Sequence, residues 1–133
     1  MALQIPPNCD LTLGLRCVNK STPGVSVWSL RVDERFLNPA GVVQGGFLSA
    51  ILDSAMGASA VTGSGAKRKV SVMNTEMKVS FLRAARQGDE LTCTATVLKP
   101  GSVISFLEAR IVNQRNELVA TASSSYLVRE RTE

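Results

Sequence analysis

The chain of 133 residues contains no histidine. That absence excludes Ser-His-Asp and Cys-His nucleophile systems and every His-ligated metal site. Chemistry here falls to carboxylates, amides, hydroxyls or the backbone. Aromatic residues make up only 5% of the chain, too few for the stacking platforms of nucleic-acid binders, and the basic residues are scattered. A net charge of +4 therefore favours an anionic ligand mildly, or serves solubility, and nucleic acid is not an expected partner. The cysteines are Cys9, Cys17 and Cys93, an odd number without a C-x-x-C pair. Neither a disulfide framework nor a zinc site is indicated, and reduced thiols in a cytoplasmic protein are the simplest expectation. The start, MALQIPPNCD, lacks the basic and apolar regions of a signal peptide. Long apolar runs are missing too: the longest, around Phe47 to Met56, is broken by Ser49, Asp53 and Ser54, too short and polar to span a membrane.

What is present is a globular composition, 44% hydrophobic and 20% charged, consistent with one domain over residues 1–133 without repeat or linker. Leu11 to Val18 fits a strand or a short helix. Lys20 to Gly24 is a turn, and Val25 to Val32 reads as a strand. After the turn Asn38-Pro39-Ala40-Gly41, apolar residues recur at spacings of three and four from Phe47 to Ala60, which predicts a buried helix. Val61 to Lys69 reads as a polar loop. Four strands follow, over Val70–Leu82, Glu90–Lys99, Ser102–Val112 and Leu118–Val128, and their turns predict an antiparallel meander. Arg129 to Glu133 reads as a frayed tail. One buried helix against one curled sheet is an α+β two-layer domain.

Two features of the helix bear on chemistry. Gly45 and Gly46 open it, and glycine lets a ligand come close to the backbone. The first N–H groups of a helix lack internal partners and carry the positive end of the dipole, which makes an oxyanion site, although Gly-Gly can equally serve the turn alone. Asp53, among Ile51, Leu52, Ala55 and Met56, is either a solvated edge residue or a buried candidate base or nucleophile. Eight residues separate Gly45 from Asp53, about 12 Å along a helix axis. An oxyanion hole and a base serving one carbonyl must both lie within a few ångströms of it. Two chains with antiparallel helices across a two-fold axis meet that condition, so a functional pair implies at least a dimer.

The run Asn38-Pro39-x-Gly41-x-x-Gln44-Gly45-Gly46, then Asp53, resembles the signature of hotdog-fold acyl-CoA thioesterases. The similar branch is the phenylacetate-degradation (PaaI-like), or 4-hydroxybenzoyl-CoA thioesterase, superfamily. It typically reads N-P-x-G-x-x-H-G-G, with an acidic residue eight positions after the first paired glycine. Met77 to Ala85 with Gly88-Asp89 is similar to that family's next strand and its F-L-R-P-A-x-x-G-D ending, and the likeness runs from about Val25 to Val128. The resemblance implies a hotdog fold, a long central helix wrapped by a curved antiparallel sheet. It implies hydrolysis of an aryl- or fatty acyl-CoA to free acid and CoA, without metal or other cofactor. A homodimer, or a homotetramer built from two dimers, in the cytoplasm, goes with it.

Residue by residue, the resemblance implies that the Gly45 N–H polarises the thioester carbonyl. Asp53 of the neighbouring subunit acts as general base on water, or as nucleophile through an anhydride. Asn38 orients the carbonyl or the water, and Asn74 falls about where the family has a Ser or Thr that positions water. The family's usual histidine is Gln44 here. A glutamine amide donates and accepts hydrogen bonds but does not titrate near neutral pH. That change is compatible with tolerance, with a retuned substrate, with a weak enzyme, or with a residue that only caps the turn. Gly46, Phe47, Leu48, Ile51 and Met56 are expected to line the acyl site. Lys67, Arg68, Lys69, Arg83 and Arg86 are candidates for the CoA phosphates, or a solvated face. Trp28 reads as core or interface, and Ser54, about 100° around the helix from Asp53, is no evident partner for it. Other readings are a non-catalytic acyl-CoA-binding protein with the same fold, and a scaffold oligomer. A hotdog dehydratase is disfavoured because such enzymes generally use a histidine.

Overall fold

Leu91, Cys93 and Ala95 are buried while the residues between them are not, and Leu107, Ala109 and Ile111 repeat that pattern. This period of two makes a sheet with one covered face. The computed structural model describes residues 4–65 and 69–131. Its elements run α1 (Asn8–Leu13), β1 (Arg16–Asn19), β2 (Val25–Arg31), a 3-10 turn (Glu34–Phe36), α2 (Gly45–Thr62), β3 (Val70–Phe81), β4 (Glu90–Lys99), β5 (Ile104–Val112) and β6 (Leu118–Glu130). Six antiparallel strands in the order β1-β2-β4-β5-β6-β3 form one sheet, and α2 lies across it as in hotdog proteins.

The face of α2 carrying Leu48, Ile51, Leu52, Ala55, Met56 and Ala60 is buried against the strands. Trp28 is part of this core. Its indole N–H donates to Ser26 Oγ at 2.9 Å, and Ser26 in turn donates to the Ala55 carbonyl of α2 at 2.9 Å.

The structure departs from the sequence expectations in several places. The undecided stretch from Leu11 contains the end of a short helix and a short strand. The helix begins at Gly45 and reaches Thr62, so Val61 and Thr62 are not loop. Only β4, β5 and β6 form a meander; β3 pairs with β6, not with β4. The segment between β3 and β4 is too long for a hairpin turn, and crosses the sheet end instead, held by Leu82 N–H to Val119 O at 2.8 Å and by Ala85 O accepting from Val43 N–H at 2.8 Å. The expected frayed tail is paired: Arg129 and Glu130 continue β6 opposite Ser71 and Val70, and Arg131 N–H donates to Lys69 O at 2.8 Å. This topology leaves β3, with 12 residues, as a long open edge.

Candidate active site

The loop before α2 is held from within and from outside. Asn38 Oδ1 accepts from the N–H groups of Ala40 at 2.9 Å and Val42 at 3.3 Å, an Asx-type turn. Gly41 closes the loop at φ 78°, the left-handed region that favours glycine. Asn38 thus shapes the approach to the helix, with its side-chain oxygen engaged by backbone. Gln44 N–H donates to Phe36 O at 2.9 Å and fixes where the helix starts.

Gln44 occupies the N-cap position, but its side chain makes no capping hydrogen bond and is exposed. The Gly45 and Gly46 amides lie in the first turn, where no intrahelical carbonyl is available to them. Gly45 is a steric requirement: a Cβ there would come within 2.8 Å of Phe81 Cζ, at the end of β3. Gly46 is under no such pressure, since a Cβ would meet only the Gln44 side chain, at 3.7 Å.

Two turns further on, Asp53 is exposed and stands over β3. Its Oδ1 accepts from the Tyr126 hydroxyl at 2.5 Å and from Asn74 Nδ2 at 3.0 Å. Tyr126 OH also lies 2.9 Å from the Asp53 carbonyl and 3.3 Å from Asn74 Nδ2. Ser124 Oγ lies 2.5 Å from Asn74 Oδ1, to which it donates, and this turns the amide's NH2 towards Asp53. Asn74 sits at the β3 bulge, where the register against β6 slips between Asn74 and Glu76. Burial, then the neighbouring Asp53 carboxylate, pushes the Tyr126 phenol well above its ordinary range.

The structure therefore brings Asn74 to Asp53, and places Gln44 beside Gly45 and Gly46 at the other end of the exposed side of α2. Tyr126 was not foreseen. The available signal was a polar pair, Ser124 and Tyr126, alternating with Ala122 and Val128 on the inward face of the last strand.

Other expected residues lie elsewhere. Leu48, Ile51 and Met56 are 3%, 2% and 0% exposed and pack in the core, and Ile51 also borders a small apolar hollow with Phe47, Phe36 and Leu91. Helical periodicity marks a buried face but does not distinguish core from channel. Phe47 is half-buried, with its ring 4.9 Å from that of Phe36. Arg83 is paired with Glu117 at 3.4 Å. Arg86 has an exposed side chain and follows β3, whereas exposed Lys69 precedes it, so one protomer does not gather these cations. Lys67 and Arg68 lie outside the described residues. Ser54 turns away from Asp53 and donates to the buried Asp10 carboxylate at 2.8 Å. Among the described residues no group of three His, Cys, Asp or Glu is placed to hold a metal ion, and no helix is long and apolar enough to cross a membrane.

Two hollows of about 420 Å³ each lie away from these groups. One opens on the sheet around Phe106 and Ser123–Ser125, the other between α1 and β1. Neither touches Asp53 or Gly45. The Asp53 side of α2 is instead exposed beside β3.

Comparison with known proteins bears on this side of the helix. Residues 40–120, which carry the loop, α2 and β3, match the family described as "Thioesterase superfamily". Human acyl-coenzyme A thioesterase 13 is 24% identical over 107 residues, 80% of this chain and 74% of that protein. A Pseudomonas aeruginosa protein provisionally named as an esterase is 34% identical over 101 residues, 75% of this chain and 72% of its own. The structure of the Escherichia coli PaaI protein, from the phenylacetic acid degradation operon, superposes with a TM-score of 0.83 at 25% identity, covering 90% of this chain and 82% of that one.

Proposed function

Since the chain belongs to the thioesterase superfamily and is a thioester hydrolase, we propose that its substrate is an aryl- or fatty acyl-CoA, cleaved at a site shared by two protomers. The observation that carries this reading is the position of Asp53, an exposed carboxylate fixed by hydrogen-bond donors on the open β3 side of a helix whose free amides lie about 12 Å away. Along one helix the two groups are too far apart to serve one carbonyl.

A two-fold pairing of two β3 edges resolves the distance. Gly45 lies beside Phe81, at one end of β3, and Asp53 beside Asn74. An antiparallel pairing with its axis near Met77 and Lys78 sets the Asn74 region of one strand across from the Phe81 end of the other. The partner's Gly45 then faces Asp53. The same pairing removes the unsatisfied edge of a 12-residue strand. Small residues on the open side of α2, Gly46, Ala50 and Gly57, leave room for the second helix. A pair of such dimers would give the tetramer.

In this arrangement the thioester oxygen accepts from the Gly45 N–H at the positive end of α2, where negative charge develops in the transition state. Asp53 of the other subunit takes a proton from water as the water oxygen bonds to the acyl carbon. Collapse breaks the C–S bond, and the CoA thiolate, a weak base, takes the proton back. The products are the free acid and CoA. Direct attack by Asp53 through an anhydride, which water then opens, gives the same balance. Neither route needs a metal or a cofactor beyond the CoA of the substrate. Gln44, uncommitted at the helix start, is placed to hydrogen-bond the substrate, and Asn38 acts through the loop it braces. Arg83, Arg86 and Lys69 would meet the CoA phosphates only at the dimer. Three free cysteines suit a cytoplasmic enzyme.

Subunit mixing tests this directly. Asp53→Ala and Gly45→Val homodimers should each fail to release CoA from a panel of aromatic and straight-chain acyl-CoAs. Refolded together in equal amounts, half the dimers are mixed and each holds one intact site, so about a quarter of the wild-type activity returns. Failure of the mixture to gain activity, with mixed dimers demonstrated, would refute the shared site. A second reading, a non-catalytic acyl-CoA-binding protein, is favoured by Gln44. It predicts binding of acyl-CoA by the wild type with no CoA release.

A further inference from the structure

The two oxygens of the Asp53 carboxylate are not equivalent. Oδ1 receives both donors, Tyr126 OH at 2.5 Å and Asn74 Nδ2 at 3.0 Å, and Oδ2 has no partner among the described residues. We propose that Tyr126 is a positioning residue for Asp53: together with Asn74 it pins Oδ1, holds the carboxylate plane fixed, and leaves Oδ2 as the oxygen that takes the proton from water or attacks the acyl carbon. This rests on the thioesterase reading and adds to it which atom reacts and which residue aims it.

The pin is built from rigid parts. Tyr126 is 2% exposed in the middle of β6, so packing fixes its ring. Its one O–H proton goes to Oδ1, and the hydroxyl oxygen also lies 2.9 Å from the Asp53 backbone carbonyl, beside the residue it orients. Asn74 is braced from behind by Ser124, whose Oγ lies 2.5 Å from Asn74 Oδ1 and 2.6 Å from the Glu76 carbonyl. A flexible carboxylate on an exposed helix face would sample several rotamers. A carboxylate held through one oxygen is pre-oriented, and an error of about 1 Å in such a group can cost about a hundredfold in rate.

The groups facing the Tyr126 hydroxyl are few. Asp53 from α2 is the charged one, and Asn74 from β3 is neutral. Tyr126 is also the chain's single tyrosine, so phenolate absorbance reports it alone.

Two measurements test the proposal. In wild-type protein the phenolate band should appear only at strongly alkaline pH, and in Asp53→Asn it should appear about one pH unit or more lower, with circular dichroism confirming that both remain folded. In Tyr126→Phe, which keeps the ring and loses the hydroxyl, kcat for acyl-CoA hydrolysis should fall about 10- to 100-fold while KM stays within about twofold. Ser124→Ala, which releases the Asn74 amide together with the Glu76 carbonyl contact, should show a smaller loss with the same split, and it replaces Tyr126→Phe should that variant not fold. An unchanged phenol titration in Asp53→Asn, or wild-type kcat in a folded Tyr126→Phe, overturns the pin. If the wild type hydrolyses no acyl-CoA, the functional reading fails instead, and the titration alone still decides whether the two groups are coupled.

Discussion

The ring of Phe81 stands against the first residue of α2, so close that a methyl group on Gly45 would come within 2.8 Å of Phe81 Cζ. A side chain at this position must displace the exposed Phe81 ring, so packing favours glycine here before any ligand is considered. Gly45→Ala must push the ring outward or shift the helix start, and overpacking of this kind costs about 1–3 kcal/mol. It should lower both Tm and kcat. Adding Phe81→Ala should restore most of the Tm. If the double variant regains stability but not activity, Phe81 also walls the acyl site; if the single variant loses neither, the contact is soft and Gly45 is replaceable.

The exposed Gln44 side chain makes no capping hydrogen bond that its removal would break. Gln44→Ala should therefore shift stability by no more than about 0.5 kcal/mol. Any large change in kcat or in preference among acyl-CoAs would then report a contact with substrate. Gln44→His offers a sharper readout. The natural chain has no histidine, so a rate inflection near pH 6.5 should be missing from the wild type and present in the variant if residue 44 touches the reacting groups. Identical pH profiles for the two proteins would remove residue 44 from the site.

The elements that were legible are those with local periodicity. Spacings of three and four revealed α2, and turn signals such as Pro100-Gly101 set off β4 and β5, because each pattern is written within a short run of consecutive residues. The Asn38–Asp53 motif placed the loop, the free amides and the carboxylate for the same reason. Strand order was not legible: whether β3 pairs with β4 or with β6 depends on partners far along the chain, and a crossing connection resembles a long turn. Tyr126 lies 73 residues from Asp53, so nothing near either residue announces the other. An apolar helix face such as that of Leu48 and Met56, both buried in the core, does not reveal from sequence whether a sheet or a substrate covers it.

Beneath α2, a buried polar chain joins helix to sheet. Ser26 Oγ accepts from the Trp28 indole N–H at 2.9 Å and lies 2.7 Å from Ser59 Oγ, and Ser59 donates to Ala95 O at 3.0 Å. Ser26→Ala strands the indole N–H in the core, and an unsatisfied buried donor costs about 1–3 kcal/mol. The chain's one tryptophan makes this visible: unfolding followed by its fluorescence should show a lower denaturation midpoint with an unchanged denaturant slope. A midpoint equal to that of the wild type would mean that water or a rearranged Ser59 satisfies the group.

Asp89, almost buried in the turn ahead of β4, gives the protein an acid-sensitive clamp. Its Oδ2 accepts from Arg86 N–H at 2.9 Å and its Oδ1 from the Gln114 amide at 2.9 Å. Burial alone raises this carboxyl, but the two donors, helped by the charges of Arg115 and Arg86, outweigh burial and hold it below the ordinary value of 3.8. A folded-state pKa below the unfolded one stabilises the fold at pH values above the unfolded pKa, and the contribution disappears as pH falls through the folded value. Asp89→Asn removes it, because the amide cannot accept with both atoms. The variant should melt below the wild type at pH 7, and the difference should be nearly constant down to about pH 4 and then shrink as the wild-type carboxyl takes up its proton. Melting curves at pH 7, 5, 4 and 3 measure this; a gap that persists undiminished at pH 3 would show that the clamp works by shape and not by charge.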